Sequence, residues 1–331
     1  MEHLLLKQAL IILVNWNGWR DTLECLESLQ LLDYPDFRVV VCDNASNDGS
    51  VNMIREWAAG NHLSFMELPR HEAEELSECN DLPWLTLIRI DENLGFAGGN
   101  NVGIRFGLSR AFDYFWLLNN DTVVEPGALK YLVQRMLEKP TIGICGSTIR
   151  LYENREKVQA LGGGRYLQWL GLPWHYGRYF KADSVETVMQ SVAEARMNYV
   201  EGASMLVSRR FVDTVGLLCE DYFLFLEEAD WAVRAKAYFS LGYAPRSVVY
   251  HKIGASIGTC SNPLKKSYLC DFYNIRNRIL FAKRYYPATL PTVYLVLFGE
   301  AFLRVLLGKW GRAQMILKQM MSCGNYEGIV K

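Results

Sequence analysis

The sequence predicts an α/β protein with a mostly parallel central sheet flanked by helices, followed by a C-terminal helical extension. Three observations carry this prediction. Over the first 150 residues, short apolar runs alternate with stretches of helical spacing. The apolar runs repeatedly end in short polar side chains. From Pro263 onward the pattern is helical, with a break at Pro287.

Ala9–Asn15 is apolar and β-branched. It reads as a buried first strand and not as a signal peptide, because it lacks a basic leading region and a small-residue cleavage site. Trp19–Leu29 places Leu23, Leu26 and Leu29 at helical spacing. Residues 37–42 form a second strand ending at Asp43, and Ser46 and Asp48 provide the turn and cap before a helix over 51–58. Leu85–Ile90 is a third strand, and residues 97–108 form a glycine-opened helix. A fourth strand over 113–118 ends at Asn119-Asn120-Asp121. Pro126 starts a helix running to about Leu137, and 142–145 is a fifth strand. The acidic stretch 71–81, with Glu72, Glu74, Glu75, Glu78 and Asp81, reads as a solvated surface insertion. After Arg150 the rhythm changes. Gly162-Gly163-Gly164 and the aromatic-rich residues 166–180 predict hairpins or a mobile loop. Residues 203–207 and 247–251 read as strands, and 227–238 as a helix.

A chain of 331 residues accommodates one large domain and a smaller appendage. Its net charge of −1 argues against general nucleic-acid binding. Aromatic residues make up 13%, which suits sugar contact as well as core packing. The eight cysteines are scattered with no C-x-x-C pair, so a zinc site is not expected and reduced thiols of a cytosolic protein are. Residues 289–308 are long enough to cross a bilayer core but contain Glu300 and Arg304, and Lys309, Arg312 and Lys318 follow. Two readings stand: a helix lying on a membrane surface, or a packing helix that covers the main domain.

Ligands of open parallel sheets bind beyond the carboxyl ends of the strands. Four successive strand ends here carry short polar groups: Asn15-Trp16-Asn17, Asp43-Asn44, the run Asn93 to Asn101, and Asn119-Asn120-Asp121. Together they suit a base, a ribose, a diphosphate and a metal, although an isolated Asn or Asp also serves as a turn residue. Asp43 can accept hydrogen bonds from a base or ribose, or brace a turn with Ser46. The run Asn93-Leu94-Gly95-Phe96-Ala97-Gly98-Gly99-Asn100-Asn101 lets backbone approach an anion at a helix start. It is neither a G-x-G-x-x-G fingerprint nor a Walker A loop, which argues against a dehydrogenase or a P-loop NTPase. Asp121 offers a hard oxygen ligand for Mg2+ or Mn2+ bridging a diphosphate. Asn119 and Asn120 add positioning. Glu227, Glu228 and Asp230 cluster at a helix start after the apolar Tyr222-Phe223-Leu224-Phe225-Leu226, where partial desolvation would raise a carboxylate toward the range of a general base. Favourable placement against the helix dipole explains the same cluster. His251 ends a strand and is either structural or a metal ligand.

Taken jointly, VNWNG (14–18), VVVCDNASNDGS (39–50), ENLGFAGGNNVGI (92–104), WLLNNDT (116–122), EGASMLVSR (201–209), FLFLEEADWAVRA (223–235), VYHKIGASIG (249–258) and YNIRNRI (273–279) resemble the inverting family 2 glycosyltransferases of GT-A fold, in particular the rhamnosyltransferase and galactofuranosyltransferase-like branch. The resemblance implies a GT-A catalytic domain over 1–260, with a nucleotide-binding half of about 1–150 and an acceptor half of about 151–260. A helical region over 261–331 follows, with membrane association as an option. It implies a nucleoside-diphosphate sugar donor, with dTDP-rhamnose or a UDP-sugar favoured, and a glycan or lipid-linked saccharide as acceptor. The setting implied is cell-surface polysaccharide synthesis in the cytoplasm, at the inner face of the plasma membrane.

By position, Asp43 would bind the base or ribose, and Asn93, Gly95 and Asn100 would lie along the donor pocket. Asn119-Asn120-Asp121 stands where the family has D-x-D, leaving Asp121 as the main carboxylate for the metal, and His251 falls where the family has a histidine beside it. Glu227-Glu228 replaces Glu-Asp, so Glu228 is the expected base, with Glu227 and Asp230 as further candidates. The implied mechanism is one in-line displacement with inversion. A sugar-phosphate nucleotidyltransferase is the alternative enzyme, but VNWNGWRDT lacks its Gly- and Arg/Lys-rich phosphate loop. A noncatalytic nucleotide-sugar-binding protein is the other alternative, given Asn119 and Glu228.

Overall fold

The structure, a computed structural model, describes residues 7–75, 82–185, 188–253 and 267–322. The first half alternates as the sequence predicts: β1 (Ala9–Asn15), α1 (Trp19–Leu29), β2 (Phe37–Asn44), α2 (Ser50–Gly60), β3 (Phe65–Pro69), α3 (Arg70–Glu75), β4 (Leu85–Ile90), α4 (Gly95–Leu108) and β5 (Tyr114–Asn119). Then come β6 (Thr122–Val124), α5 (Ala128–Glu138) and β7 (Ile142–Leu151). The second half holds β8 (Val158–Leu161), β9 (Gly163–Leu167), β10 (Leu172–His175), α6 (Gln190–Arg196), β11 (Tyr199–Val200), β12 (Ser204–Ser208), α7 (Arg209–Val215), α8 (Glu227–Ala235) and β13 (Ser240–His251). Three helices close the described chain: α9 (Tyr268–Tyr285), α10 (Leu290–Leu306) and α11 (Trp310–Met321).

The strands form one sheet whose main path runs β10-β9-β8-β7-β12-β5-β1-β2-β4-β3. β1 pairs in parallel with both β2 and β5, and β4 continues the parallel half, so the carboxyl ends of β1, β2, β4 and β5 open on one crevice. β12 enters antiparallel between β5 and β7 and turns the sheet toward its mixed half. Two layers of apolar side chains sandwich the sheet. Leu10, Ile12, Val40 and Phe115 face one layer, and Ile11, Leu13, Val41 and Trp116 face the other. Strands covered on both faces read as near-continuous apolar runs, which is how β1, β2 and β5 are written.

α4 lies unusually close to the sheet. A Cβ on Gly103 would meet Ile12 at 2.5 Å, so only glycine allows this approach. That closeness sets the helix start beside the ends of β1 and β2.

The structure adds an edge strand, β3, that the sequence pattern leaves unassigned; its residues Phe65, Met66 and Glu67 are only half-buried, so their alternation is weak. Residues 70–75 of the acidic stretch form the short α3 with exposed glutamates, and Glu78 and Asp81 lie outside the described residues. Residues 142–145 and 247–251 prove to be parts of the longer β7 and β13. Of the cysteines, Cys25, Cys42, Cys145, Cys219 and Cys270 are free thiols.

The three terminal helices are joined to the rest of the chain through α9. Phe223 stacks on Tyr273 with ring centroids 4.7 Å apart, and Phe281 packs edge-on against Tyr166 at 4.6 Å. Within the helical unit, Arg304 Nη2 donates to Asp271 Oδ1 at 2.7 Å and Arg278 Nη1 to Glu300 Oε1 at 2.8 Å.

Candidate functional site

The crevice at the strand ends is lined by Trp16, Asn44, Asn93, Phe96, Asn119 to Asp121, and Phe223-Leu224 from the opposite half. Its polar rim is built by hydrogen bonds among the residues themselves. Asn15 Nδ2 donates to Asp43 Oδ1 at 2.7 Å, and Ser46 N donates to Asp43 Oδ2 at 3.1 Å. Asp43 is thus buried and aimed, braced by the turn with Ser46. Asn17 adopts a positive φ of 53° and accepts from Asn47 N, which ties the β1 loop to the β2 loop. Asn44 Nδ2 donates to Asn93 Oδ1 at 2.8 Å, and Asn44 Oδ1 accepts from Leu94 N at 3.0 Å. These two asparagines fold the start of α4 over the crevice.

Gly95 is the hinge of that fold. Its φ is +70°, and a Cβ there would sit 2.2 Å from the Phe223 carbonyl oxygen, while the neighbouring Phe96 N donates to that same oxygen at 2.8 Å. Gly95→Ala is expected to cost ~1–3 kcal/mol from backbone strain alone, and more as Phe223 is displaced. Urea unfolding of the two proteins measures it, and equal midpoints would refute the argument.

At the end of β5 the chain turns through Asn120 and Asp121 into β6. The β6–β13 register sets His251 opposite Thr122, which brings His251 beside Asp121 although 130 positions separate them. His251 Nε2 lies 3.2 Å from Asp121 Oδ1 and 3.3 Å from Asn119 Nδ2. Its Nδ1 faces Gln159 Oε1 at 3.0 Å. Gln159 Oε1 only accepts, so Nδ1 carries a proton and Nε2 turns toward Asp121. Burial disfavours the imidazolium, but Asp121 outweighs it and His251 sits above its ordinary value.

One carboxylate and one oriented imidazole, both buried, fit a hard divalent cation that takes its remaining ligands from phosphate oxygens and water. Among the described residues, no group of three His, Cys, Asp or Glu side chains gathers for a metal, so a cation held by this pair would need further ligands from outside the protein.

The carboxylate pair lies at the start of α8, three residues beyond the crevice wall at Leu224. Phe225 and Leu226 both take positive φ, 72° and 70°, an uncommon and strained conformation for such residues. Asn277 of α9 holds the strained turn by donating to the Leu224 carbonyl at 2.7 Å and the Phe225 carbonyl at 3.0 Å. Glu227 and Glu228 each keep one buried carboxylate oxygen, Oε2, without a hydrogen-bond partner. Burial first, and then the charge of Glu228, push Glu227 well above the ordinary carboxylate range. Burial, and then the charge of Glu201, push Glu228 up to about 7, while a hydrogen bond with Glu227 restrains the rise. The pair therefore holds a shared proton on Glu227 and leaves Glu228 poised to ionise near neutrality.

Glu201, just after β11, binds His175 Nε2 at 3.0 Å. Its charge raises both Glu228 and His251. Glu201→Gln is expected to lower the Glu228 pKa and move the acid limb of activity to lower pH. An unmoved limb in a folded variant would contradict this.

The structure thus lines one crevice with Asn44, Asn93, Gly95, Asn119 and Asp121, sets His251 against Asp121 and buries Asp43 behind Asn15 and Ser46, with Glu227 and Glu228 beyond the crevice wall. Three candidates are tied into the scaffold, two of them, Asn15 and Asn100, away from the crevice lining. Asn15 is fully buried and holds Asp43 and Thr22. Asn120 donates to Thr22 Oγ1 at 2.9 Å while bordering the crevice. Asn100 turns its amide back to the Phe96 carbonyl within α4. Asp230 faces away from Glu228's environment. It is fully buried and pairs with Arg234 at 2.7 Å and with Arg284 at 3.5 Å, which ties α8 to α9. Sequence reasoning missed Glu201, Gln159, His175 and Asn277. Glu201 was legible as an acid directly after an apolar pair; the other three have no local signal.

A mostly parallel central sheet flanked by helices, opening on one crevice and followed by C-terminal helices, is an α/β fold of GT-A type. The profile of "Glycosyl transferase family 2" matches residues 10–188, more than half of the chain, and the chain belongs to that family. It is 21% identical over 257 residues to a poly-beta-1,6-N-acetyl-D-glucosamine synthase of Staphylococcus epidermidis, covering 78% of this chain and 53% of that protein. The chain therefore spans about half the length of the curated relatives it matches. Among solved structures, the mannosyltransferase PcManGT from Pyrobaculum calidifontis, in complex with GDP-Man and Mn2+, superimposes with a TM-score of 0.56 at 15% identity. That match covers 95% of this chain and 87% of the other, and it shares the GT-A fold with a central, mostly parallel sheet and following helices.

Proposed function

We propose that this chain transfers a sugar from a nucleoside-diphosphate sugar, with dTDP-rhamnose or a UDP-sugar favoured, to a hydroxyl of a glycan or lipid-linked saccharide. The transfer inverts the anomeric carbon and serves cell-surface polysaccharide synthesis on the cytoplasmic side of the membrane. The observation that carries this reading is the Glu227–Glu228 pair, one carboxyl held neutral and the other poised near pH 7, at the edge of the family's nucleotide crevice.

Asp43, braced by Asn15 and Ser46, receives the base or ribose. Asn44, Asn93 and Gly95 line the diphosphate and sugar. Asp121 and His251 would hold Mg2+ or Mn2+, which when bound offsets the charge of the departing diphosphate. Glu228 takes the proton of the acceptor hydroxyl as that oxygen attacks the anomeric carbon, and Glu227 donates a hydrogen bond to the Glu228 carboxylate before the transfer. Asp230 and Asn100 act as structural supports of α8 and α4. The catalytic domain is 1–260, and the helices after it form the back wall and the membrane side.

The test is a panel of nucleoside-diphosphate sugars with Mn2+, reading release of nucleoside diphosphate and the anomeric configuration of the product. Retention of configuration, or no turnover of any donor with any acceptor, would remove this reading.

A further inference from the structure

The polarity of α10 is inverted. Its charged side chains point inward: Arg304 is 5% exposed and is held by Asp271, and Glu300 reaches back to Arg278. Val293, Leu297 and Ala301, spaced by four, pack the same inner side. The outer stripe consists of Leu295, Phe298, Phe302, Leu303 and Leu306, all more than half exposed, and Trp310 of α11 continues it at 67%. A helix facing water carries its charge outside and its apolar residues inside. Here the charges are spent on internal ion pairs, and the large apolar groups are turned out as one contiguous patch.

A second element reaches this unit. The turn between β9 and β10 presents Trp169 and Leu170, 55% and 43% exposed, and its Gly171 lies against α10, where a Cβ would meet Val293 at 3.0 Å. The other end of the same short hairpin is His175, bound to Glu201 beside the carboxylate pair. One hairpin therefore runs from the inner side of α10, at Gly171, to Glu201, at His175, with Trp169 and Leu170 exposed at its tip.

The occupant is indicated by charge. Arg304 and Arg312 both meet Asp271, yet the three helices over 268–322 together carry eight Lys and Arg against two acids, Asp271 and Glu300, so the unit as a whole is strongly cationic. A cationic segment with an apolar face and a tryptophan at its edge matches an anionic lipid surface, with acyl chains under the apolar stripe and headgroups at the lysines. We propose that α10, α11 and the 168–171 turn dock on an anionic lipid monolayer, with α10 in the plane of the headgroups. In this orientation the hairpin delivers a lipid-linked acceptor from the bilayer to Glu228. The acceptor part rests on the transferase reading; the docking does not.

The full chain is mixed with vesicles of phosphatidylglycerol and phosphatidylcholine, or of phosphatidylcholine alone, and floated on a density gradient. Wild type is expected to float with the anionic vesicles, about tenfold more than with the neutral ones. The triple variant F298Q/F302Q/L306Q is expected to remain in solution with an unchanged unfolding temperature. W169Q is expected to float several-fold less, because the hairpin tip shares the face. Wild type that stays in solution, or a triple variant that floats as well as wild type, overturns the docking. Sedimentation of wild type as a dimer that the triple variant dissociates, with no flotation, assigns the face to a second copy and also overturns it. Unchanged flotation of W169Q overturns the placement of the hairpin at the lipid. Flotation without turnover of any donor would leave the docking standing and remove the transferase reading.

Discussion

Glu228→Gln is expected to lower kcat by roughly 10²–10⁴-fold while leaving donor affinity nearly unchanged, the loss that follows when a general base is removed and binding is kept. Glutamine preserves the volume and can still meet Glu227, so the fold is retained. Wild-type kcat should rise with pH through about 7, where Glu228 ionises while Glu227 stays neutral, and the residual activity of the variant should lack that limb. Stability runs the other way. Burial raises the folded-state pKa of Glu228 above its ordinary value of 4.5, so the folded protein binds this proton more tightly than the unfolded chain does. Stability is therefore lost as pH rises from about 4.5 through about 7. Glu228→Gln removes that titration and should melt higher than wild type at pH 8 but not at pH 4. A variant that loses activity and melts lower at every pH would point to a structural role.

The second large effect concerns Asp121. Asp121→Ala is expected to abolish metal-dependent donor binding, because it removes the carboxylate of the two-residue set and leaves only His251. Gln159→Ala keeps both ligands but frees the imidazole to rotate, so it should weaken metal affinity by about 10–100-fold. Loss of Asp121 should cost more than that. Chelation with EDTA should stop turnover reversibly, with activity restored by Mn2+ or Mg2+. Titration of Mn2+ followed by its electron paramagnetic signal, with nucleoside diphosphate present, ranks the three proteins. Equal affinities for wild type and Asp121→Ala would contradict the assignment.

Much of this was legible before any coordinates, for physical reasons. β1, β2 and β5 are covered on both faces and so appear as unbroken apolar runs, and the crevice follows from where such strands end. Asp43 and Asp121 were visible because they close the apolar runs of β2 and β5, and Asn93 because it follows β4 at the start of the glycine-rich segment. The edge strand β3 was not, since only its Leu68 is buried and a strand without a buried face leaves little pattern. The asparagines divided in a way no spacing could reveal. Asn15 and Asn100 resemble Asn44 and Asn93 in sequence, yet only Asn44 and Asn93 line the crevice. Asp230 reads as one of three acids at a helix start. In the fold its carboxylate is taken by Arg234 and Arg284, whereas Glu227 and Glu228 feel the charge of Glu201, partners that no local pattern reveals. Long-range partners such as Gln159 for His251 and Asn277 for the Leu224–Phe225 turn exist only in the register of the folded chain. The outward apolar stripe of α10 was ambiguous in sequence because Glu300 and Arg304 argue against lipid until their inward ion pairs are seen.

The most direct measurement is a crystal structure of the chain with a nucleoside diphosphate and Mn2+, with the metal located by its anomalous scattering. Mn2+ is expected between Asp121 and His251, ligated by both phosphates, with the base or ribose at Asp43 and the open side of the phosphate facing Glu228. A metal and diphosphate bound elsewhere, or seated with Glu228 on the far side of the α8 start from the phosphates, would contradict it.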